Sequence, residues 1–481
     1  MSQHFDALIV GGGISGLAAA WELRKQGYQR IAVLEASEHF GGCVSAQAIG
    51  GFTADAGAES FATRSPVVPA LLEELGLGAQ RREPNPVGAW LILPSGAQPM
   101  PRTGILGIPG DLTAAETVQA LSPAGLNRAQ EDLHTPVDAW AQRLNQPGGP
   151  QASVAELVLD RMGPEVLDLL VAPVVSGVHS ADPQQLDLET VAPGLLARMV
   201  AEGSLSAAVY AQRLAAGQAQ AGKPGSAVAG LSGGMNQLTA ALVDQLQTHG
   251  VTLLLNTEVR GLQTDRVHRV QTAETTLSAD QLVIATDGPS AVDLLAELDP
   301  ELTQYRPDTG TGVALVSLVV DHPGLAAAPR GTGVLVSPLV NNISAKALTH
   351  ASAKWDWIAE ELSAQAPDRH LLRLSYGRVS DSANTLGYNS LDAELVATAI
   401  ADAAAITGVP LESAHVVDHA VVRWLGALPF ATIGHQERVS AFRKKLSVLP
   451  RVDAVGAWLA GTGLVAVLTD VQKTLVGTAI K

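Results

Sequence analysis

The chain opens on a short apolar run rich in β-branched residues, FDALIV (Phe5–Val10). The glycine turn GGGISG follows, then SGLAAAWELRKQG (Ser15–Gly27), whose apolar positions recur at helical spacing and which closes on glycine. A second apolar run, RIAVLE (Arg30–Glu35), completes a pattern that predicts strand, helix, strand: one βαβ unit. From Pro66 to about Pro224 the periodicity becomes mostly helical, as in PALLEELG, LTAAETVQAL and SVAELVLDRM, where Ser153 and Glu156 form a capping-box pair. The polar, Gly/Pro-bearing stretch QAQAGKPGS (Gln218–Ser226) predicts a loop, and MNQLTAALVDQLQTHG predicts a helix. Strands are then expected at VTLLLNTEV, RVHRVQTA and DQLVIATDG. Beyond Pro300, TGVALVSLVVD, GTGVLVS and HLLRLSYGR read as a separate antiparallel sheet, with one helix, LDAELVATAIADAAAITG, before Pro410. No internal repeat and no low-complexity tract is visible.

At 481 residues the chain is expected to divide into two or three domains. A net charge of −16 argues against nucleic acid or an anionic membrane surface as partner, so an anionic small substrate would need a local cationic patch. The single cysteine, Cys43, excludes an intramolecular disulfide and any multi-cysteine metal site, in keeping with a reducing cytoplasm. The N-terminus lacks a basic signal region, and apolar runs such as GVALVSLVV fall short of the roughly 20 residues of a spanning helix, leaving at most peripheral membrane contact. No metal-ligand spacing, Ser/His/Asp arrangement or paired catalytic carboxylates stands out.

The glycines of the first turn, Gly11, Gly13 and Gly16, form G-x-G-x-x-G, which alone is a weak signal in a chain with 47 glycines. Its context makes it specific. The motif follows a predicted strand and opens a helix, and Glu35 ends the next strand 19 residues after Gly16, close to the spacing at which a carboxylate grips a ribose hydroxyl. Gly11 permits the tight turn, Gly13 lets backbone reach a pyrophosphate, and Gly16 lets helix meet strand. The helix N-terminus supplies N–H donors and a positive dipole end. FAD and NAD share this fingerprint.

The segments that follow carry a resemblance. EASEHFGG (Glu35–Gly42) resembles the E-A-x-x-R-x-G-G run of amine-oxidase-like flavoenzymes, with His39 where arginine is common, and DAGAESF (Asp55–Phe61) resembles their D-x-G-x-E/D-S-F turn. VVSGVHSADPQQL (Val174–Leu186), LSGGMNQLTAALVDQL (Leu231–Leu246), VVRWLGALPFATIGHQERV (Val421–Val439) and GAWLAGTGL (Gly456–Leu464) are similar, in order, to motifs of the protoporphyrinogen/coproporphyrinogen oxidase family. ILPSGAQPMPRTGILGIPGD (Ile92–Asp111) resembles a segment of its Gram-positive, coproporphyrinogen-using branch, although Ala89 and Trp90 stand where some relatives carry arginine.

The resemblance implies an α/β plus α+β architecture of three parts. These are a discontinuous Rossmann-like FAD-binding domain (1–75, 220–292, 415–481), a mixed-sheet substrate-binding domain (76–109, 293–414) and a helical domain (110–219). It implies FAD as cofactor, contacted by Gly11, Gly13, Ile14, Ser15, Gly16, Glu35, Ala36, Gly41, Gly42, Cys43, Gly57, Ala58, Glu59, Ser60, Val259, Thr286, Trp424, Gly456, Gly461, Thr462, Gly463 and Leu464. The flavin ring does the redox chemistry. The implied reaction is six-electron oxidation of a porphyrinogen in heme biosynthesis: three hydride removals to flavin N5, with dioxygen as acceptor and hydrogen peroxide released. A transient contact with a ferrochelatase is also implied. Four propionates on coproporphyrinogen ask for more cations than the two of protoporphyrinogen. Arg64, Arg102, Lys346 and Lys354 are the candidates, each of which also reads as a solvated surface charge. Gly177 and His179 are expected to line the pocket, with plain packing as the alternative for His179. Coproporphyrinogen against protoporphyrinogen stays open, as do an amine oxidase, a desaturase and a non-catalytic flavin-binding scaffold.

Overall fold

The computed structural model describes residues 3–146, 151–179, 181–215, 228–310, 312–378, 385–426 and 431–476. The expected loop Gln218–Ser226 lies outside them. The first βαβ unit forms as its periodicity requires, with strand β1 (His4–Val10), helix α1 (Ile14–Lys25) and strand β2 (Ile31–Leu34). Both strands are buried almost throughout, as expected of a parallel sheet covered on both faces.

Around this unit grows a seven-stranded sheet. Its order runs Thr252–Leu254, β2, β1, Thr276–Ile284, His268–Thr272, Val259–Thr264, and Val452–Ala454 pairs beside the C-terminal half of Thr276–Ile284. The strands around β1 are parallel and those from Val259 to Thr272 form an antiparallel meander. The helix Asn236–Thr248 packs on α1 within one apolar core.

The second sheet also has seven strands, in the order Val416–Trp424, Val313–Asp321, Arg369–Tyr376, Ala347–His350, Gly333–Val336, Ala89–Leu93, Gly96–Pro99. It is antiparallel except where Gly333–Val336 runs parallel to Ala89–Leu93, so the strands expected as one antiparallel sheet belong to a mixed one. Residues 416–424, expected with the dinucleotide domain, form the edge strand of this sheet on Val313–Asp321. The helix Asp392–Thr407 covers one face and ends at Gly408, whose φ of 71° is the left-handed turn that glycine tolerates.

The third part is helical, with a core of its own built from residues between Leu91 and Val209. Ser153 caps the helix Val154–Met162 by accepting from Glu156 N at 3.0 Å, one half of the expected capping box, while the Glu156 carboxylate pairs with Arg143. Two wide π-helical stretches, Leu167–Val171 and Val175–His179, follow. No helix among the described residues is long and apolar enough to cross a membrane.

Candidate active site

The turn after β1 is closed on one side and open on the other. Gly11 N donates to Leu34 O at 2.8 Å, and with φ at +103° a Cβ here would stand 2.7 Å from Ala285 O. A Cβ at Gly16 would overlap the Gly11 carbonyl, so helix and strand meet only because position 16 is bare. At Gly13, which caps α1, nothing lies within 4 Å of a Cβ position. Helix α1 has neither a side-chain cap nor an acidic residue in its first turn, which leaves its N–H groups facing that open space. Ile14 and Ser15 are buried behind it.

Glu35 stands at the end of β2, beside the glycine turn. Its carboxylate accepts from Gly12 N at 2.7 Å and Ser37 N at 2.8 Å, which aims it beside the turn while each oxygen keeps accepting capacity for a hydroxyl. Gly41 N donates to Gly12 O at 2.9 Å, and a Cβ on Gly42 would be 3.5 Å from Gly13 Cα, so Glu35–Gly42 folds over the glycine turn. Ala36 and His39 are exposed. Thr257 N donates to Glu35 O at 2.8 Å, which brings the chain leading into Val259 to the same edge.

The C-terminal motif arrives beside this turn. A Cβ on Gly456 would lie 3.4 Å from Thr286 O, one residue beyond the Ala285 that abuts Gly11. Gly461 and Gly463 have φ of +92° and +101°, nothing lies within 4 Å of either Cβ position, and Thr462 between them is exposed. Leu464 is buried and begins the helix Leu464–Leu475, which packs on α1 and also lacks a side-chain cap. The sequence thus places three glycines with open Cβ positions, at 13, 461 and 463, in the turns that lead into two neighbouring helices without side-chain caps. That cradle fits a dinucleotide whose phosphates and flavin carbonyls want N–H donors.

The turn Asp55–Ser60 completes the wall. Ala58 N donates to Cys43 O at 2.9 Å, and a Cβ on Gly57 would strike that same carbonyl, so this turn packs directly on the Glu35–Cys43 segment. Trp424 Nε1 donates to Ala56 O at 3.0 Å, and Arg373 Nη1 donates to Gly57 O at 2.9 Å. Glu59 pairs with Lys354 and, at 3.0 Å, with Arg373. Burial by itself would push the Glu59 carboxyl up, but the Lys354 and Arg373 charges outweigh it and hold the group down to about 2. Asp55 points the other way, accepting from Met235 N and Asn236 N, each at 2.9 Å; burial raises its pKa against those bonds. Arg373 was not legible as a site residue. Its only signal is a cation inside the strand pattern HLLRLSY.

The cations expected at a substrate rim separate on inspection. Arg64 and Arg102 are exposed, as an anchor for carboxylates needs to be. Lys346 is 1% exposed and its Nζ donates to Gly377 O at 2.8 Å, which corrects its expected place at a rim: it belongs to the packed second domain. Lys354 is held by Glu59 and stacks over the Trp355 ring. A Cβ on Gly177 would come within 2.7 Å of Leu335, so what this glycine admits at its Cβ is a neighbouring leucine of the second sheet. The side chain of His179 lies outside the described residues. Among those residues, no group of three or more His, Cys, Asp or Glu side chains could hold a metal.

This architecture, two sheets meeting at a bare dinucleotide turn, defines a flavoprotein of the amine-oxidase type, and the family model for flavin-containing amine oxidoreductases matches residues 14–445. The chain belongs to that family, and its cofactor is FAD. Within it, the chain is 30% identical to the coproporphyrinogen III oxidase of Mycobacterium tuberculosis (strain ATCC 25618 / H37Rv), over 95% of this chain and 94% of that protein. Human protoporphyrinogen oxidase is 28% identical over 68% of this chain and 69% of its own length. A crystal structure of an Exiguobacterium sp. 255-15 protein, provisionally described as a protoporphyrinogen oxidase, superposes with a TM-score of 0.81 at 26% identity, covering 98% of both chains.

Proposed function

We propose that this chain oxidises coproporphyrinogen III to coproporphyrin III, with dioxygen as final acceptor, as a cytoplasmic step in heme biosynthesis. The observation that carries the substrate is the extent of likeness. The mycobacterial coproporphyrinogen III oxidase pairs with 95% of the chain, whereas human protoporphyrinogen oxidase pairs with 68%. FAD supplies the hydride-accepting chemistry when bound. Six hydrogens leave the macrocycle, and three dioxygen molecules become three hydrogen peroxide.

The chain's own residues bind, orient and exclude water. Backbone N–H groups at Gly13 to Gly16 would receive the pyrophosphate, Glu35 the ribose, and the Gly461–Leu464 turn the flavin. Gly57 and its neighbours would back the ring. With a net charge of −16, the protein repels a tetra-anionic substrate at long range, so a local cation must reverse the field at the entrance. Arg64, exposed and four residues past Ser60, has that place in this reading. A product handed on to a ferrochelatase by brief contact also belongs to it.

Side-by-side turnover of coproporphyrinogen III and protoporphyrinogen IX with peroxide detection tests the substrate, and faster reaction with the latter overturns it. The second reading, a protoporphyrinogen oxidase, draws its support from the description of the Exiguobacterium protein. A chain that only binds flavin would leave its flavin absorbance unbleached under anaerobic porphyrinogen.

A further inference from the structure

The turn Asp55–Ser60 is strung between the two halves of the molecule. Its first residue is fastened to the dinucleotide half, where the Asp55 carboxylate accepts from Met235 N, Asn236 N and, at 3.0 Å, Asn236 Nδ2 at the start of the helix Asn236–Thr248. Ala56 N and Ala58 N donate to Ser45 O and Cys43 O on that same side, each at 2.9 Å, while the carbonyls and the Glu59 carboxylate of the turn are gripped from the second sheet and the short helix beside it. Arg373, on the strand Arg369–Tyr376, donates to Asp55 O at 3.4 Å and Gly57 O at 2.9 Å. Trp424, at the end of the strand Val416–Trp424, donates to Ala56 O. Lys354, the last residue of the short helix Ala351–Lys354, and Arg373 both pair with Glu59.

The three charged side chains are 15–18% exposed, so water screens them little and each depends on the others for its charge to be tolerated. A small cavity walled in part by Trp355, Trp357 and Leu371 lies against Glu59 and Arg373. On that side their direction is set by hydrogen bonds more than by packing.

We propose that Glu59, Lys354 and Arg373 are positioning residues for the cofactor: as a charged triad they set the turn that backs the flavin, and so make FAD seating depend on the second sheet. Arg373 acts directly on the carbonyls of Asp55 and Gly57, and Glu59 and Lys354 act through Arg373 and through residue 59 itself. Lys354 in this role is not a propionate anchor. The inference rests on FAD as cofactor and not on the porphyrinogen reading. A wild-type protein that binds FAD but leaves coproporphyrinogen untouched would end that reading while this test stays decisive.

The test titrates FAD into full-length apoprotein, followed by flavin fluorescence, alongside melting of apo and holo forms. Loss of a charge-assisted bond is worth about tenfold or more in affinity. Lys354→Met is therefore expected to raise the Kd for FAD about tenfold, and Lys354→Arg to recover most of that loss. Glu59→Gln, which keeps the shape and removes the charge, should weaken FAD similarly and gives the same reading if Lys354→Met does not fold. The double variant should be no weaker than the worse single one, since both break one unit. A Kd within about twofold of wild type in Lys354→Met or Glu59→Gln, with apo and holo melting lowered equally, would overturn the proposal in favour of plain structural support. An unchanged Kd with a raised KM for an anionic porphyrinogen would return Lys354 to substrate anchoring.

Discussion

Arg161 with Asp132, and Glu59 with Lys354 and Arg373, are both buried charge clusters, yet they stand in opposite surroundings. Arg161 and Asp132 are fully buried in the helical domain. Arg161 donates to Asp132 Oδ1 at 2.8 Å and to the carbonyls of Asp132, Thr135 and Pro136, while Asp132 accepts from Leu205 N, Ser206 N and Ser206 Oγ at the start of the helix Leu205–Ala215. The carboxylate and three guanidinium nitrogens are all engaged among neighbours of one domain. The Glu59 cluster instead links elements from both sheets, and its bonds run to the turn Asp55–Ser60, which packs on the Glu35–Cys43 segment. Both clusters stabilise the folded chain, and in the reading proposed above the Glu59 cluster also positions the cofactor; what separates them is which backbone the charges hold.

The sharpest way to break this contrast is Arg161→Leu. Leaving Asp132 buried without its partner should cost about 3–5 kcal/mol in chemical denaturation. The folded fraction should bind FAD as wild type does; a weakened Kd there would show that the helical cluster also positions the cofactor.

Acid comes next. Glu59, held at about 2 against an ordinary 4.5, contributes fully above pH 4.5, and that contribution disappears as the pH falls toward 2. It amounts to about 3 kcal/mol, and Glu59→Gln should flatten the acid limb of the stability curve accordingly. His350 acts earlier. Burial, with a smaller push from His370, lowers its pKa to about 3 from 6.5, so its contribution is complete above 6.5 and declines below that value. The slope is about 1.4 kcal/mol per pH unit, and His350→Asn should remove it between pH 6.5 and 4.5.

Gly16→Ala measures the cradle alone. Its Cβ must displace the Gly11 carbonyl, a strain of about 1–3 kcal/mol, so FAD affinity should fall roughly ten- to hundredfold by fluorescence titration. The Arg161–Asp132 cluster should not feel it. The smallest effect is expected at the surface. Arg64→Glu should raise the KM for coproporphyrinogen about two- to tenfold with bound FAD intact, because an exposed charge in water is worth about 1 kcal/mol or less. An unchanged KM would remove Arg64 from the entrance.

The sequence by itself determined the dinucleotide unit. The turn at Gly11, Gly13 and Gly16, the helix behind it and the carboxylate at Glu35 follow from steric rules that act within some 30 residues, and the structure closes Gly11 and Gly16 on backbone while leaving Gly13 open. The cap at Ser153 and the end of the helix Asp392–Thr407 before Pro410 were legible for the same reason. Pattern also announced three of the seven strands of the second sheet, Val313–Asp321, Gly333–Val336 and Arg369–Tyr376, but not the other four, nor that Ala89–Leu93 would join them in parallel, because strand pairing is settled by contacts far apart along the chain.

The fate of the lysines shows the limit best. Lys346 and Lys354 sit in one short segment with the same formal charge and no local feature to separate them. Only folding turned Lys346 onto Gly377 O, and Lys354 onto a glutamate 295 residues away. A cation's role depends on which partner the tertiary structure brings within reach and how much water it removes, and neither quantity is written in the residues beside it.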